Sequence, residues 1–291
     1  MTAPSVKSSD AFDVAGPLAR LVAVLDQIGS ATIAVSGGVD SMTLAAVAHT
    51  HASSPAVLVH AVSPAVPASA TARVRDHASR SGYNLRVVDA GEFSDPRYRA
   101  NPVNRCYFCK SNLYSTLVAL HEGTVLSGTN TDDLGDYRPG LIAASEQRVR
   151  HPYVEADIDK STVRAIARHL GLDDIADLPS APCLASRITT GLRVEAEDLK
   201  LIDRIEMSLR ARLPTASDIR CRKSYTGWIV QLDQQTLSAV GGGNIETLVT
   251  EVFAGTGMAS GDRVRITAYE RGSAFVHAGS SEHDADAAEL P

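Results

Sequence analysis

Short apolar runs alternate with segments of helical periodicity along the first half of the chain. Apolar residues at three- and four-residue spacing predict an amphipathic helix over 16–28. The run at 31–35 has β-branched residues and no polar alternation, which is typical of a strand buried on both faces of a parallel sheet. The pattern repeats, with strands at 56–62, 85–89 and 124–127 and helices at 42–51, 68–81 and 110–121. This alternation predicts right-handed βαβ units and an α/β fold with a doubly wound parallel sheet.

The second half of the chain has a different pattern, which predicts a smaller α+β domain. A helix capped by Asp159 or Ser161 is expected to run to His169 and to end at Gly171. The segment 173–191 has little periodicity and is interpreted as an ordered functional loop. Further elements are predicted at 195–213 (helix), 219–223 and 228–232 (strands), 244–253 (helix) and 263–268 (strand). The expected division is a flexible N-terminus at 1–14, a main domain at 15–185, a smaller domain at 186–275 and a disordered tail at 276–291.

Composition narrows the class of protein. The 291 residues are enough for about two domains, and 28 Lys and Arg against 34 Asp and Glu give a net charge of −6, which argues against a nucleic-acid-binding surface. No stretch reaches the roughly 20 apolar residues of a membrane helix, and the polar start lacks the apolar core of an export signal. Four cysteines are too few for a disulfide scaffold, so a reducing cytoplasm is the expected location.

A glycine-rich hexapeptide lies between the strand at 31–35 and the helix at 42–51. Two glycines allow a sharp turn and close approach to a ligand, and a helix N-terminus favours phosphate. The sequence is neither a Walker A loop nor a dinucleotide fingerprint, and a plain strand-to-helix turn is the alternative. The hexapeptide resembles the signature of the PP-loop ATP pyrophosphatases, which cleave ATP between its α- and β-phosphates. That resemblance implies ATP contacts from Ser36, Gly37, Gly38, Asp40 and Ser41.

A second polar segment follows the strand at 124–127. Gly128, Thr129 and Asn130 are expected to contact the nucleotide, since the carboxyl ends of parallel strands form the ligand edge of such sheets. Asp132 and Asp133 are candidate ligands of Mg²⁺ beside a triphosphate. Arg138 is a candidate catalytic residue that neutralises charge developing on the phosphates. The alternative is an Asx-rich turn that caps the next helix.

The cysteines indicate metal or sulfur chemistry. Cys106 and Cys109 form a Cys-x-x-Cys pair in a predicted loop entering a helix, and Cys183 lies in the long functional loop. Such a pair is compatible with zinc, a redox pair or a cluster. Three cysteines with an open fourth position suit a [4Fe–4S] cluster. Nearby Arg105, Lys110 and Arg187 are candidates to favour thiolates, whereas Cys221 is interpreted as a small buried hydrophobe.

The motifs together resemble the LarE family, the ATP-dependent sulfur transferases of nickel-pincer nucleotide biosynthesis. The likeness spans about 16–270 and rests on the order and spacing of 36–41, 61–64, 104–110, 128–133, 136–140 and 182–187. It implies that ATP and Mg²⁺ serve to adenylate pyridinium-3,5-biscarboxylic acid mononucleotide, with Asp40 and Cys183 as catalytic residues. A sulfur nucleophile then displaces AMP, and the thiocarboxylate formed goes to the cofactor of lactate racemase.

The resemblance leaves two sulfur sources open. In some members the cysteine at the position of Cys183 gives up its own sulfur. In others three cysteines hold a [4Fe–4S] cluster that carries sulfide, and the presence of Cys106, Cys109 and Cys183 favours this second type. The implied partners are a small-molecule substrate, a sulfide or other sulfur donor, and further copies of the chain in a hexamer, without nucleic acid or membrane.

The resemblance also implies a substrate-phosphate site in the smaller domain. Arg220 and Arg222 lie on one face of a predicted strand and match an Arg-x-Arg pair of the family, and Ser186 and Arg187 are further candidates. Guanidinium groups bind phosphate bidentately. The alternative interpretation is that Arg220 and Arg222 are exposed arginines of the strand and bind no phosphate. Gln231 stands where an acidic residue is expected, which argues against a metal site in this domain.

Two other functions compete with sulfur transfer. Another PP-loop adenylating enzyme, for tRNA thiolation or amide synthesis, fits the phosphate loop. A tRNA enzyme usually carries a basic extension, and an amide-forming enzyme has no need of Cys183. A regulatory nucleotide-binding module is the other candidate, although it would have no need of the joint presence of Asp40, Asp132, Asp133 and Arg138.

Overall fold

The fold was analysed in a computed structural model of the chain, which describes residues 13–120, 123–135, 138–179, 182–256 and 263–270. The predicted N-terminal segment 1–14 lies almost wholly outside the described residues, and the predicted tail 276–291 lies entirely outside them. None of the described helices is long and apolar enough to cross a membrane.

The helices and strands follow the predicted alternation over most of the described chain. The strands are β1 (Ala31–Ala34), β2 (Ala56–Ala61), β3 (Leu85–Val88), β4 (Thr124–Leu126), β5 (Ile219–Ser224), β6 (Gly227–Leu232) and β7 (Val264–Ala268). The α-helices are α1 (Ala15–Ile28), α2 (Val39–His51), α3 (Ala68–Ser81), α4 (Pro96–Arg99), α5 (Arg105–Ala119), α6 (Pro139–Glu146), α7 (Pro152–Glu155), α8 (Lys160–His169), α9 (Asp173–Ala176), α10 (Ala196–Arg212), α11 (Gln234–Val240) and α12 (Gly242–Ala254). Short 3₁₀ helices span Glu92–Ser94, Thr131–Leu134 and Leu184–Arg187.

The described residues form two compact units whose segments interleave along the chain. The first takes its described residues from Met1–Val62, Ala68–Gly91 and Cys109–Ala181. The second takes them from Ser63–Pro67, Glu92–Phe108 and Pro182–Pro291. Three stretches of the predicted main domain 15–185 therefore belong to the second unit, namely 63–67, 92–108 and 182–185.

The first unit contains the predicted parallel sheet, in the order β3-β2-β1-β4. Its core includes fully buried Leu21, Ile33, Leu44 and Ile166 from a strand and the helices that flank the sheet. The chain moves outward from β1 through β2 to β3 and then returns to the other side of β1 at β4. The point between β1 and β4 is therefore a topological switch point, where open α/β sheets bind their ligands beyond the carboxyl ends of the strands.

The second unit contains a separate three-stranded sheet in the order β5-β6-β7, with β5 antiparallel and β7 parallel to β6. Helices α10 and α12 supply buried side chains to this unit, including Leu199, Ile202, Ile245 and Val249. The prediction of a parallel α/β sheet with a smaller α+β part is thus confirmed at the level of architecture.

Several local predictions were wrong. The Cys-x-x-Cys pair lies on the first turn of α5, not in a loop before a helix at 110. Asn101, four residues before this helix, has a left-handed φ of 54°, and the Arg105 N–H donates to the Pro102 carbonyl. The segment 173–191 contains α9 and a 3₁₀ turn, and α11 was missed because its seven residues are too few to show a clear apolar period.

Candidate functional site

The glycine-rich loop at 36–41 connects β1 to α2 at the switch point. Gly38 is the N-cap of α2, so the first-turn N–H groups of the helix open toward this loop. Gly37 has a φ of +82°, and a Cβ atom there would lie 2.8 Å from the Ala70 carbonyl oxygen. Only glycine meets both conditions without strain. The geometry is that of an anion site at a helix N-terminus.

The two serines of the loop form hydrogen bonds within it. The Ser36 N–H donates to Ser41 Oγ at 3.0 Å, and the two hydroxyl oxygens lie 3.2 Å apart. Ser41 Oγ also donates to the Gly38 carbonyl at 3.3 Å. The predicted phosphate donors Ser36 and Ser41 are therefore positioned together, with part of their hydrogen-bonding capacity used within the loop.

The second polar segment packs directly on the first. A Cβ atom at Gly128 would lie 2.9 Å from the Asp40 carbonyl carbon and 2.9 Å from the Ser41 nitrogen, so the two backbones are in close contact here. Asn130 Nδ2 donates to Asp40 Oδ1 at 3.2 Å. The buried Tyr153 hydroxyl donates to the Asp40 carbonyl at 2.9 Å. The structure thus brings together the two loops that the sequence placed at the same edge of the sheet.

Lys160 is a site residue that the sequence analysis missed. Its Nζ lies 2.5 Å from Asp40 Oδ2, and its backbone N–H donates to Asp132 Oδ2 at 3.2 Å. Lys160 is the first residue of α8, whose N-cap Asp159 accepts from the Thr162 N–H. The cap was visible in the sequence, but the proximity of this cation to Asp40 arises only when α8 packs on α2.

The predicted metal and phosphate residues after β4 are bonded to each other. Asp133 accepts from the Asn130 N–H in a capping box and forms an ion pair with Arg138 at 2.7 Å. The Thr129 hydroxyl lies 3.0 Å from that of Ser127, which in turn contacts His151 Nδ1 at 2.8 Å.

His151 is a second residue that the sequence did not reveal. Burial lowers its pKa, with smaller opposing contributions from Glu155 and Asp133, so the imidazole is neutral at pH 7. It lies at the base of the second loop through its contact with Ser127.

The cysteines differ in exposure. Cys106 and Cys183 are exposed, Cys109 is partly buried, and Cys221 is fully buried. Burial raises the pKa of the Cys221 thiol well above its ordinary value, in keeping with its interpretation as a small core residue. Among the described residues, no group of three or more Cys, His, Asp or Glu side chains is arranged to hold a metal ion. The cluster on Cys106, Cys109 and Cys183 stays a prediction.

Three buried arginines of the second unit hold the turn that carries Cys183. Arg187 Nη1 donates to the Pro182 carbonyl at 2.9 Å, and Arg105 Nη1 donates to the Ala185 carbonyl at 3.0 Å. Arg222 Nη1 donates to the Ser186 carbonyl at 2.9 Å. The guanidinium of Arg105, expected to favour a thiolate, is thus directed at the backbone of this turn and at the Asn101 side chain.

Arg187 is held by a buried carboxylate. Its Nε and Nη2 donate to the two oxygens of Glu206 at 2.9 and 3.0 Å, and Glu206 Oε1 also accepts from the Cys221 N–H. Burial disfavours the charged guanidinium, but the hydrogen bonds and charge of Glu206 outweigh it and raise the pKa of Arg187. With Nη1 also donating to Ser186 Oγ, Arg187 is directed at protein groups rather than at the solvent.

The Arg-x-Arg pair on β5 is buried, so the alternative of two exposed strand arginines is wrong. Arg222 Nε donates to Gln231 Oε1 at 2.5 Å. Burial and the positive charge of Arg187 lower the pKa of Arg222. Arg220 stacks over the Tyr269 ring at 5.4 Å. Two carboxylates lie against these arginines: Glu206 pairs with Arg187, and Asp218 lies 3.4 Å from Arg220. Arg187, Arg220 and Arg222 thus carry one positive charge more than these two carboxylates balance, which suits an anionic ligand.

Comparison with known proteins gives the family. No family model matches the chain. The chain is 42% identical to an uncharacterised protein of Synechocystis sp. strain PCC 6803, over 63% of this chain and 70% of that protein. It is 28% identical to an uncharacterised protein of Methanocaldococcus jannaschii, over 66% of this chain and 74% of that protein. It is also 31% identical to the pyridinium-3,5-bisthiocarboxylic acid mononucleotide synthase of Lactiplantibacillus plantarum, over 66% of this chain and 71% of that enzyme. By this likeness the chain belongs to the LarE family, the family of that synthase.

Proposed function

We propose that this protein is an ATP-dependent sulfur transferase that converts a carboxylate into a thiocarboxylate. The substrate class is a pyridinium carboxylate mononucleotide, in line with the name of the Lactiplantibacillus plantarum relative. The reaction first forms an acyl adenylate and pyrophosphate, and a sulfur nucleophile then displaces AMP. The observation that carries the proposal is the presence, in one chain, of a phosphate-type loop at the switch point and an exposed cysteine on a turn held by buried arginines.

The contacts around Asp40 support ATP as the activating substrate. Loop N–H groups and the Lys160 ammonium supply positive charge at one edge of the sheet, while Asn130 and Asp132 adjoin them. Mg²⁺ usually takes one or two protein carboxylates together with substrate phosphates, so Asp132 and Asp133 fit this ion without a third protein ligand. Mg²⁺ bound there would neutralise charge on the departing pyrophosphate.

The activation step follows from this arrangement. A carboxylate oxygen of the substrate attacks the α-phosphorus of ATP, the bond between the α- and β-phosphates breaks, and pyrophosphate leaves. Lys160 and the first-turn N–H groups of α2 stabilise the negative charge that develops on the leaving group. Arg138, 45% exposed in its ion pair with Asp133, is proposed to turn from that carboxylate to the phosphates of the nucleotide.

Cys183 is the residue proposed to deliver sulfur. Its thiolate attacks the acyl carbon, a thioester forms, and AMP leaves with the electron pair of the broken bond. When a base then removes the Cα proton of Cys183, its Cβ–Sγ bond breaks, so the thiocarboxylate departs and residue 183 becomes dehydroalanine. The [4Fe–4S] cluster predicted on Cys106, Cys109 and Cys183, the source that the three cysteines favour, would instead supply sulfide as the nucleophile.

The buried arginines of β5 are proposed to bind the substrate phosphate. Arg222 donates from Nε to Gln231 Oε1 and from Nη1 to the Ser186 carbonyl. Its remaining N–H donors point away from these two groups. Arg220 on the same strand face adds a second guanidinium, and such pairs suit a phosphate dianion. Because Arg222 also holds the Ser186 carbonyl, the phosphate of a bound substrate would be close to the turn that carries Cys183.

The test uses the full chain, purified anaerobically and incubated with iron and sulfide, beside Cys183→Ser and the matched core variant Cys221→Ala. Each is given ATP, Mg²⁺ and the pyridinium biscarboxylate mononucleotide. We expect pyrophosphate and thiocarboxylate from the wild type and Cys221→Ala, and pyrophosphate alone from Cys183→Ser. Mass spectrometry should show that wild-type Cys183 has lost H₂S after turnover.

The same experiment separates the two sulfur sources. If the enzyme turns over repeatedly with Cys183 intact and iron tightly bound, the transferred sulfur comes from the predicted cluster and not from Cys183. Release of ADP instead of pyrophosphate would contradict the adenylating reaction. If Cys183→Ser formed as much thiocarboxylate as the wild type, Cys183 would be neither the sulfur donor nor a required cluster ligand.

A further inference from the structure

Two carbonyl groups, one in the glycine-rich loop and one directly before it, are held by side chains from outside the loop. His60 Nδ1 lies 2.8 Å from the Val35 carbonyl oxygen, where β1 ends. Arg73 Nη1 donates to the Gly37 carbonyl oxygen at 2.8 Å, inside the loop itself. His60 is on β2 and Arg73 is on α3, so neighbouring elements fix both peptide groups.

Carbonyl orientation matters at a site for polyphosphate. A loop binds phosphate by pointing its N–H groups at the anion, and each carbonyl oxygen that turned the same way would repel it. Gly37 has the left-handed φ of +82°, and glycine lacks the Cβ that restricts other residues to fewer peptide orientations. A donor on the Gly37 carbonyl therefore selects the orientation in which the N–H groups remain available to a ligand.

The contact with His60 is part of the same support. Because Nδ1 faces a carbonyl acceptor, the proton lies on Nδ1, and Nε2 then accepts from the Thr71 hydroxyl at 2.9 Å. Burial lowers the pKa of His60, so the neutral ring required by this pattern is present at pH 7. Thr71 and Arg73 are both on α3, which also brings the Ala70 carbonyl against Gly37.

We propose that Arg73 is a positioning residue for the nucleotide: by binding the Gly37 carbonyl it keeps the loop in the orientation that accepts the phosphates of ATP. Arg73 is partly buried, and its second role is to add positive charge behind the loop. The inference rests on the proposed use of ATP but assigns a function to a residue outside the hexapeptide.

The test compares Arg73→Met with Arg73→Lys and with Arg75→Met, which removes an exposed arginine from the same helix. Calorimetry measures binding of α,β-methylene-ATP, which cannot be cleaved at the reacting bond, and binding of the pyridinium mononucleotide. Loss of a hydrogen bond from a charged donor is expected to weaken the affinity of Arg73→Met for the ATP analogue about tenfold. Its affinity for the pyridinium mononucleotide should stay at the wild-type value.

The conservative variant separates positioning from stability. Lysine also donates to a carbonyl, so Arg73→Lys should recover most of the affinity for the analogue, and Arg75→Met should match the wild type. Equal affinity of Arg73→Met and Arg75→Met for the analogue would overturn the inference, as would a parallel loss of affinity for both ligands. Failure of the wild type itself to bind the analogue would overturn the proposed function and this inference with it.

Discussion

The ion pair between Arg187 and Glu206 offers the sharpest test of how the turn of Cys183 is held. The exposed fractions of the two side chains are 5% and 11%, and two hydrogen bonds join them. Glu206→Gln keeps the shape of the side chain but removes its charge and turns one acceptor into a donor. The variant therefore leaves the Arg187 guanidinium buried without a counter-charge.

The expected cost is large because the pair is buried. Removing one partner of such a pair typically costs 3–5 kcal/mol, and the retained amide oxygen places this variant near the lower end, at about 3 kcal/mol. For a chain of this size, a Tm shift of about 2–4 °C accompanies each kcal/mol, so a decrease of about 6–12 °C is expected. The ion pair of Glu197 and Lys200 on the same helix is mostly exposed, and Glu197→Gln should change stability by less than about 0.5 kcal/mol.

Urea unfolding and calorimetry measure these changes in the full chain. The double variant Arg187→Met with Glu206→Leu should recover much of the stability lost by Glu206→Gln, since apolar replacements remove the unpaired charge. Proteolysis near Cys183 should also accelerate in Glu206→Gln, because Arg187 holds the Pro182 carbonyl. A free energy of unfolding for Glu206→Gln within 1 kcal/mol of the wild type would refute the assignment of this pair as the support of the turn.

Three further outcomes are expected. Gly128→Ala should weaken ATP binding at least tenfold, measured by calorimetry, because its methyl group would lie 2.9 Å from the Asp40 backbone; unchanged affinity would contradict the close packing of the two loops. Iodoacetamide should modify exposed Cys183 rapidly at pH 8 and leave Cys221 unmodified until the chain unfolds, as peptide mass spectrometry would show. Asp159→Ala should cost about 1 kcal/mol at pH 7. Hydrogen bonds from Thr162 lower the pKa of Asp159, so its contribution is present above about pH 4 and is lost as the pH falls through the lowered pKa; a pH-independent difference in urea denaturation would be the contrary result.

The arrangement of the first unit was largely predictable because its signals are local. A strand buried on both faces carries an uninterrupted apolar run, as at 31–35, and a glycine pair before a helix marks the turn after it. The carboxyl ends of parallel strands share one edge of the sheet, so 36–41 and 128–133 were expected at the same edge, whereas the strand order β3-β2-β1-β4 was decided by the tertiary structure. The start of α5 was not predicted: its first residue, Arg105, contacts the Ala185 carbonyl 80 residues away, and such a contact leaves no signal in the neighbouring sequence.

The roles of charged residues were less predictable than the elements that carry them. From the sequence, Arg187 cannot be distinguished from an arginine that binds phosphate. Only its buried ion pair with Glu206 shows that its donors point to protein groups. Lys160 follows a helix cap that the sequence indicates, but its Nζ reaches Asp40 across 120 positions of the chain. Long flexible side chains choose partners by proximity in the folded state, which spacing along the chain does not encode.

By itself, the sequence determined the α/β architecture, the position of the glycine-rich loop and the set of cysteines, because apolar periodicity, glycine turns and residue identity are properties of neighbouring positions. Only the tertiary structure decided which groups meet at Asp40, which carbonyls of the loop are held, and that buried arginines support the turn of Cys183. The physical reason is that burial and hydrogen-bond partners are set when distant segments pack, and these determine whether a charged side chain faces a ligand or another part of the protein.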